Sequence, residues 1–223
     1  LQKRVKKDKA DIGLAFDGDA DRCFLIDELG GLVNPSALTA LIAVRELKAN
    51  PGASIIYNLI SSKTVPEVIA ENGGIGIRSR VGHSYIKSTM AQTGAVFGGE
   101  HSGHFYFNDF WRADSGMLAA LYALAELMAS NLSLSELLKP YNRYVSSGEI
   151  NTKVKDVTKS ISRVRDKYHG EYQVDELDGL TITADTWWFN LRPSNTEPLL
   201  RLNVEADTEK EMIKIRKAVL ALI

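Results

Sequence analysis

The chain has 223 residues, 27 Lys+Arg against 28 Asp+Glu, and a formal net charge of -1. That balance argues against a partner that is nucleic acid or an anionic membrane surface. The 44% of hydrophobic residues is enough to build a folded core, and the single cysteine, Cys23, excludes an internal disulfide and any multi-Cys zinc site.

A lone cysteine fits a reducing, cytoplasmic setting. The longest apolar run, Met117 to Ala125, is far short of the about 20 residues that a bilayer needs, so no membrane partner is expected. Leu1 to Ala10 carries Lys3, Arg4, Lys6, Lys7 and Lys9 against Asp8 and is expected to be a solvated basic stretch.

Ile12 to Phe16 is a short apolar run of the buried-strand type, and Cys23 to Ile26 reads as its partner. Asn34-Pro35 predicts a helix start, with Asn as N-cap and Pro at the first helical position. The helix runs to residue 48. Strands are predicted over 54–57, 75–77, 95–97 and 104–107, with helices over 64–72, 84–92 and 114–129 between and after them. This alternation describes one α/β domain over residues 32–139 with a mixed sheet.

The pattern changes after Lys139-Pro140. Strands are predicted over 149–154, 180–183, 186–191 and 199–204. Helices are predicted over 157–168 and 208–223, the last capped by Thr208 with Glu211 three residues on. Residues 140–223 therefore form a small α+β domain.

Three loops carry chemistry. Asp17-Gly-Asp-Ala-Asp21 sets carboxylates two residues apart between two buried strands. Like charges this close call for a cation among them, and oxygen ligands suit Mg²⁺. An EF-hand also uses such spacing, with Asp17, Asp19, Asp21 and Glu28 in its ligand positions, but Arg22 stands where that loop needs Gly. Arg22 adds a planar cation suited to phosphate.

Gly98-Gly-Glu-His-Ser-Gly-His104 combines a carboxylate, a hydroxyl and two imidazoles with glycines. Glu100 and Ser102 suit sugar hydroxyls, and His104 suits general acid–base work near neutral pH. Arg192-Pro-Ser-Asn-Thr196 offers a guanidinium, two hydroxyls and an amide from Arg192, Ser194, Asn195 and Thr196, which is the inventory for holding phosphate. A polar hairpin and an acidic turn are the plainer alternatives. Val81-Gly-His83-Ser84 and Ser61-Ser-Lys63 are weaker signals, in which Ser84 and Ser62 are alternatively helix caps.

With these three loops in this order, the chain resembles the bacterial phosphomannomutase/phosphoglucomutase group of the α-D-phosphohexomutase superfamily. The resemblance covers essentially the whole chain. It implies that residues 1–31 are the end of a second α/β domain bearing the metal loop, 32–139 a sugar-binding third domain, and 140–223 a phosphate-binding fourth domain. It implies Mg²⁺ on Asp17, Asp19 and Asp21, and a hexose phosphate substrate contacted by Lys63, Gly82, His83, Glu100, Ser102, Arg192, Ser194, Asn195 and Thr196. His104 and Arg22 are the implied catalytic residues.

The phosphoserine loop of that family, of Ser-His-Asn type, has no match here, since no serine in the chain is followed by histidine. The resemblance therefore implies a portion of a longer enzyme, inactive without its first two domains. His101 stands where phosphoglucosamine mutases usually carry Gln and dual-specificity phosphomannomutases often carry Met. The sugar stays open, and a phosphoglucosamine mutase or a non-catalytic sugar-phosphate module remains an alternative.

Overall fold

A computed structural model describes residues 1–194, 197 and 199–223. The chain divides into two units, Leu1–Arg143 and Tyr144–Ile223.

The first unit opens on a helix, α1 (Gln2–Asp8), where the sequence predicted only a solvated basic stretch. The reason is Val5, which is buried while its cationic neighbours stay outside. One inward residue is too thin a stripe to register as helical periodicity. The Gln2 side-chain amide adds a hydrogen bond of 2.9 Å to the Gly30 carbonyl.

Strands β1 (Ile12–Phe16) and β2 (Cys23–Asp27) form an antiparallel hairpin. Phe16 pairs with Cys23, so residues 17–22 are the connecting loop. Helix α2 (Pro35–Ala49) starts as expected, with the Asn34 side chain accepting from the Ser36 N–H at 2.9 Å.

β3 (Ser54–Asn58), α3 (Thr64–Glu71), β4 (Ile75–Ser79), α4 (His83–Thr93), β5 (Phe97–Gly99), β6 (Phe105–Phe107) and β7 (Ala113–Asp114) follow. The sheet order is β4-β3-β5-β6-β7. β3 runs parallel to β4 and β5, and β6 and β7 are antiparallel additions. The sheet is thus mixed. Its alternating residues feed two cores: Ile55, Phe105 and Phe107 join the cluster that includes residues of α2 and α3, while Ile56 and Tyr106 join Ile86 and Met90 of α4.

β5 lies two residues later than predicted because Gly98 and Gly99 pair in the ladder. A side chain at Gly99 would meet Thr39 of α2 at 2.4 Å, so the helix packs directly on backbone there.

Helix α5 (Gly116–Ala129) begins two residues after its predicted start. Asp114 belongs to β7, and the Ser115 hydroxyl caps the helix by accepting from the Leu118 N–H at 3.1 Å. A short helix, α6 (Leu134–Leu138), and a 3-10 turn over Lys139–Tyr141 were not anticipated, although Ser133 and Glu136 form a full capping box.

The second unit is an antiparallel sheet covered on one face by two helices. Its elements are β8 (Val145–Lys153), α7 (Val157–Tyr168), β9 (Gln173–Asp175), β10 (Leu180–Thr183), β11 (Trp187–Pro193), β12 (Leu199–Ala206) and α8 (Glu209–Leu220), with strand order β8-β12-β11-β10-β9. β9 is a three-residue edge strand with no sequence signal of its own.

Alternate residues of the two central strands separate cleanly. Trp187, Phe189, Leu191, Leu200, Leu202 and Val204 join the apolar core. Trp188, Asn190, Arg192, Arg201, Asn203 and Glu205 hold the opposite parities, and the Trp188 indole donates to Glu205 at 2.8 Å. Among the described residues no single helix is long and apolar enough to cross a membrane.

Candidate functional site

The hairpin loop of the first unit gathers Asp17, Asp19 and Asp21 so that one oxygen of each lies within 4.8 Å of the others. The tight turn is made by Ala20, whose φ of 59° is left-handed, and not by Gly18, which carries no such angle. A non-glycine residue pays conformational strain there. The loop is held from both sides: the Gly116 N–H donates to the Ala20 carbonyl at 3.1 Å, and the Cys23 N–H to the Gly103 carbonyl at 3.1 Å. Arg22 and His104 form a bridge between the two loops.

Arg22 binds Asp17 twice, through its side chain at 2.6 Å and its backbone N–H at 3.2 Å. Desolvation works against the Asp17 charge, but these bonds outweigh it and hold the carboxyl below its ordinary value. Asp21 goes the other way. Burial raises it, His104 offsets part of that, and the Asp17 and Asp19 charges raise it again. Its Oδ1 is buried without a hydrogen-bond partner among the described residues, and Arg22 Nε lies 3.7 Å from it. Glu28, the last EF-hand position, is committed elsewhere, accepting from the Ser135 N–H at 3.1 Å.

The second loop, Glu100 to His104, closes on itself through the Glu100 N–H and the His104 carbonyl at 2.9 Å. Glu100 is buried. It accepts from the Ser102 hydroxyl at 2.9 Å and from the Gly82 N–H at 3.1 Å. His104 Nδ1 lies 3.0 Å from the Ser102 oxygen. Because the Ser102 proton goes to Glu100, Nδ1 is the donor to Ser102. The other ring nitrogen, Nε2, faces Asp21 Oδ2 at 3.5 Å and Asp114 Oδ2 at 4.0 Å. His101 sits apart, with Nδ1 3.2 Å from the Ser36 hydroxyl, which also accepts from the Ser62 N–H.

Asp17, Asp19, Asp21, Arg22, Glu100, Ser102 and His104 are thus joined through contacts inside one unit, and Gly82 is tied to them through Glu100. His83 is the first residue of α4 and is exposed. Lys63 precedes α3 and is half-buried, and Ser62 braces that helix start by accepting from the Thr64 N–H at 3.2 Å. Two further residues reach this site without a signal in the sequence: Asp114, where the spacing predicts a helix start, and Lys87 of α4. Lys87 Nζ meets Asp114 Oδ1 at 2.7 Å.

In the second unit Arg192 and Arg201 face each other across β11 and β12. Arg192 is buried, and burial pulls its ionisation below the ordinary guanidinium value while Glu149 pulls it back. Glu149 binds both guanidiniums, Arg192 at 2.9 Å and Arg201 at 3.4 Å. Arg201 also donates to the Ser194 hydroxyl at 3.3 Å. Arg201 and Glu149 were not anticipated. Asn195 and Thr196 lie outside the described residues.

Known proteins share this arrangement of sequence. Residues 34–144 match the family described as phosphoglucomutase/phosphomannomutase, alpha/beta/alpha domain III, and residues 149–222 match the C-terminal domain of the same family. The chain belongs to the phosphoglucomutase/phosphomannomutase family. A phosphomannomutase of Methanocaldococcus jannaschii is 48% identical over 210 residues, covering 94% of this chain and 46% of the relative. A phosphomannomutase of Escherichia coli K12 is 40% identical over 214 residues, covering 95% of this chain and 47% of the relative. The crystal structure of a phosphoglucomutase/phosphomannomutase family protein from Burkholderia thailandensis superposes with a TM-score of 0.88 at 31% identity, covering 100% of this chain and 48% of that one. The chain therefore spans about half the length of the curated relatives it matches. In this chain the first unit carries the carboxylate loop and the Glu100–His104 loop, and the second carries the Arg192 loop.

Proposed function

We propose that this chain supplies the metal, sugar and phosphate contacts of a phosphohexomutase that interconverts hexose 1-phosphates and 6-phosphates, with Mg²⁺ as cofactor. The names of the relatives favour mannose phosphate as the substrate. The observation that carries the proposal is the position of His104, whose Nε2 lies 3.5 Å from Asp21 of the carboxylate loop while Nδ1 lies 3.0 Å from Ser102 beside Glu100. An acid–base group therefore stands between an oxyanion-handling loop and a hydroxyl-handling one.

Asp17, Asp19 and Asp21 fit Mg²⁺. The donors are all oxygens, they cluster within 4.8 Å, and the buried Asp21 Oδ1 lacks a hydrogen-bond partner among the described residues. When bound, the ion supplies neutralisation of charge on a phosphoryl oxygen. Arg22 keeps Asp17 ionised and adds a second cation for the same oxygens. Glu100 and Ser102 accept and donate hydrogen bonds at sugar hydroxyls. His104 exchanges a proton with the reacting hydroxyl at Nε2. Lys63 and His83 are cationic or polar contacts for substrate. Gly82 contributes close approach, since its N–H is committed to Glu100. Arg192, Ser194, Asn195 and Thr196 hold the phosphate that is not transferred.

The nucleophile in this proposal is a phosphoserine of the parent's first domain, and the intermediate is a hexose 1,6-bisphosphate that reorients between two transfers. Alone, the chain is expected to leave mannose 1-phosphate unconverted, because covalent transfer needs its nucleophile. The test is an NMR titration of the chain with MgCl₂ and then with mannose 1-phosphate. Mg²⁺ should move amides of residues 17–22 and the sugar phosphate those of 99–104, with Asp19→Asn weakening the first effect. Shifts centred elsewhere sink the proposal.

A further inference from the structure

The first turn of α2 carries a buried hydroxyl that joins two loops. Ser36 accepts from the Ser62 N–H at 3.1 Å, and its oxygen lies 3.2 Å from His101 Nδ1. Its own N–H is fixed by the Asn34 side chain at 2.9 Å. The Ser62 side is anchored as well. The Ser61 hydroxyl donates to Asn58, the last residue of β3, at 2.9 Å, and Ser62 accepts from the Thr64 N–H at the start of α3 at 3.2 Å. Ser36 therefore belongs to a frame set by β3, α2 and α3, and His101 is a point at which the Glu100–His104 loop touches that frame.

This contact does not depend on the His101 proton. A hydroxyl offers one donor and two acceptor positions. With one acceptor position taken by Ser62, it can still donate to a bare Nδ1 or accept from a protonated one. On its other side the loop is held by Glu100, which binds Gly82 and Ser102. Glu100 and Ser102 are the chain neighbours of His101, so the two side chains suited to sugar hydroxyls flank the anchor directly.

We infer that His101 is a positioning residue for the hexose phosphate. Bound to Ser36 through Nδ1, it sets Glu100 and Ser102 against the loop that carries Lys63, and it does so without contacting a sugar hydroxyl itself. The effect on substrate rests on the proposed sugar role of Glu100 and Ser102; the mechanical link does not. The geometry of the imidazole makes the distinction testable. The amide atoms of asparagine stand as many bonds from Cα as Nδ1 does, and the amide atoms of glutamine as many as Nε2. Asparagine therefore reproduces a bond to Ser36. Glutamine reproduces a direct contact made through Nε2.

Amide hydrogen exchange of the 223-residue chain reads the link without a ligand. The reporters are the Glu100 and Gly103 N–H groups, which donate to the His104 and Glu100 carbonyls at 2.9 and 3.1 Å. His101→Ala and His101→Gln should speed their exchange about fivefold, the scale of one hydrogen bond, while His101→Asn stays within about twofold of the wild type. Ser36→Ala should speed the same amides and also that of Ser62. Exchange in β3 should stay unchanged in the His101 variants, which separates the effect from loss of folding. Mannose 1-phosphate, followed at residues 99–104, should bind more weakly in His101→Gln and at wild-type strength in His101→Asn. Rescue by glutamine in place of asparagine, or wild-type exchange at Glu100 and Gly103 in His101→Ala, overturns the inference. Wild-type sugar-phosphate affinity in His101→Gln despite faster exchange overturns it too. A wild-type chain that binds no mannose 1-phosphate, yet shows the asparagine–glutamine difference in exchange, instead sinks the proposed sugar role and leaves the link standing.

Discussion

The buried carboxylate of Glu100 accepts the Gly82 N–H with one oxygen, at 3.1 Å, and the Ser102 hydroxyl with the other, at 2.9 Å. Gly82 is the N-cap of α4, so a single side chain ties the start of a helix to the loop that carries His104. Any ligand that displaces one of these bonds is felt at the other.

Glu100→Gln tests that coupling. Glutamine keeps the shape but offers one acceptor and one amide donor in place of two acceptors. One of the two bonds must then be lost or turned around. Leaving a buried donor unsatisfied costs about 1–3 kcal/mol, so the urea midpoint should fall accordingly. The amide of Gly82 or the hydroxyl partner of Ser102 should shift, and mannose 1-phosphate binding should weaken. Unchanged stability together with an unchanged Gly82 amide would show that the tie carries no load.

Gly116→Ala is expected to destabilise the fold although alanine is the better helix former by about 1 kcal/mol. A Cβ at Gly116 would lie 2.4 Å from the Arg22 carbonyl oxygen and 2.9 Å from the Cys23 nitrogen. Both are backbone atoms of the carboxylate loop and β2, and neither can turn aside as a side-chain tip does. The clash therefore decides the sign. A lowered melting temperature and a weaker Mg²⁺ response at residues 17–22 are expected together. A gain in stability would mean that the loop backbone yields freely.

Cys23 should be inert and should make stability depend on alkaline pH. The thiol is buried, and burial pushes its ionisation from the ordinary 9.0 up to about 12. Between those values the unfolded chain has released the proton and the folded chain has kept it. Stability is therefore full below the lower value and falls as pH rises through the window. Comparing urea midpoints of the wild type and Cys23→Ala on both sides of the ordinary thiol value checks the sign. Rapid alkylation of the folded chain by iodoacetamide at neutral pH would contradict the burial.

Much of this architecture was legible because local rules and packing agree. Asn34 before Pro35 caps α2, Thr208 caps α8, and the strand alternation of Trp187 to Leu191 matches the two faces of the second sheet. What escaped had weak local signals. Helix α1 rests on one inward residue, Val5. β7 and β9 are two and three residues long, shorter than any periodicity can mark. The carboxylate and glycine-rich loops were visible as motifs, but their union is tertiary. It depends on the Cys23–Gly103 and Gly116–Ala20 backbone bonds, between residues far apart in the chain. Asp114 and Lys87 were missed for the same reason, since only the fold places them beside His104.

The last prediction concerns Arg192 and Arg201, which pair directly across two strands. Like charges in that position repel, and the repulsion is offset by Glu149, which binds both guanidiniums. An anion approaching the Arg192 loop must therefore compete with an internal carboxylate that already has what it wants. Glu149→Gln removes that competitor and should strengthen binding of inorganic phosphate or mannose 6-phosphate. It should also lower stability, because two guanidiniums lose their counter-charge while Arg192 stays buried. Arg192→Lys should weaken phosphate, since lysine keeps the charge but not the planar fork. The amides of residues 192–194 and 201, followed by NMR during phosphate titration, give both answers. Tighter binding in Glu149→Gln and weaker binding in Arg192→Lys support an anion site held in check by Glu149. Equal binding in all three proteins would mean that the arginine pair is structural and that phosphate is held by other groups.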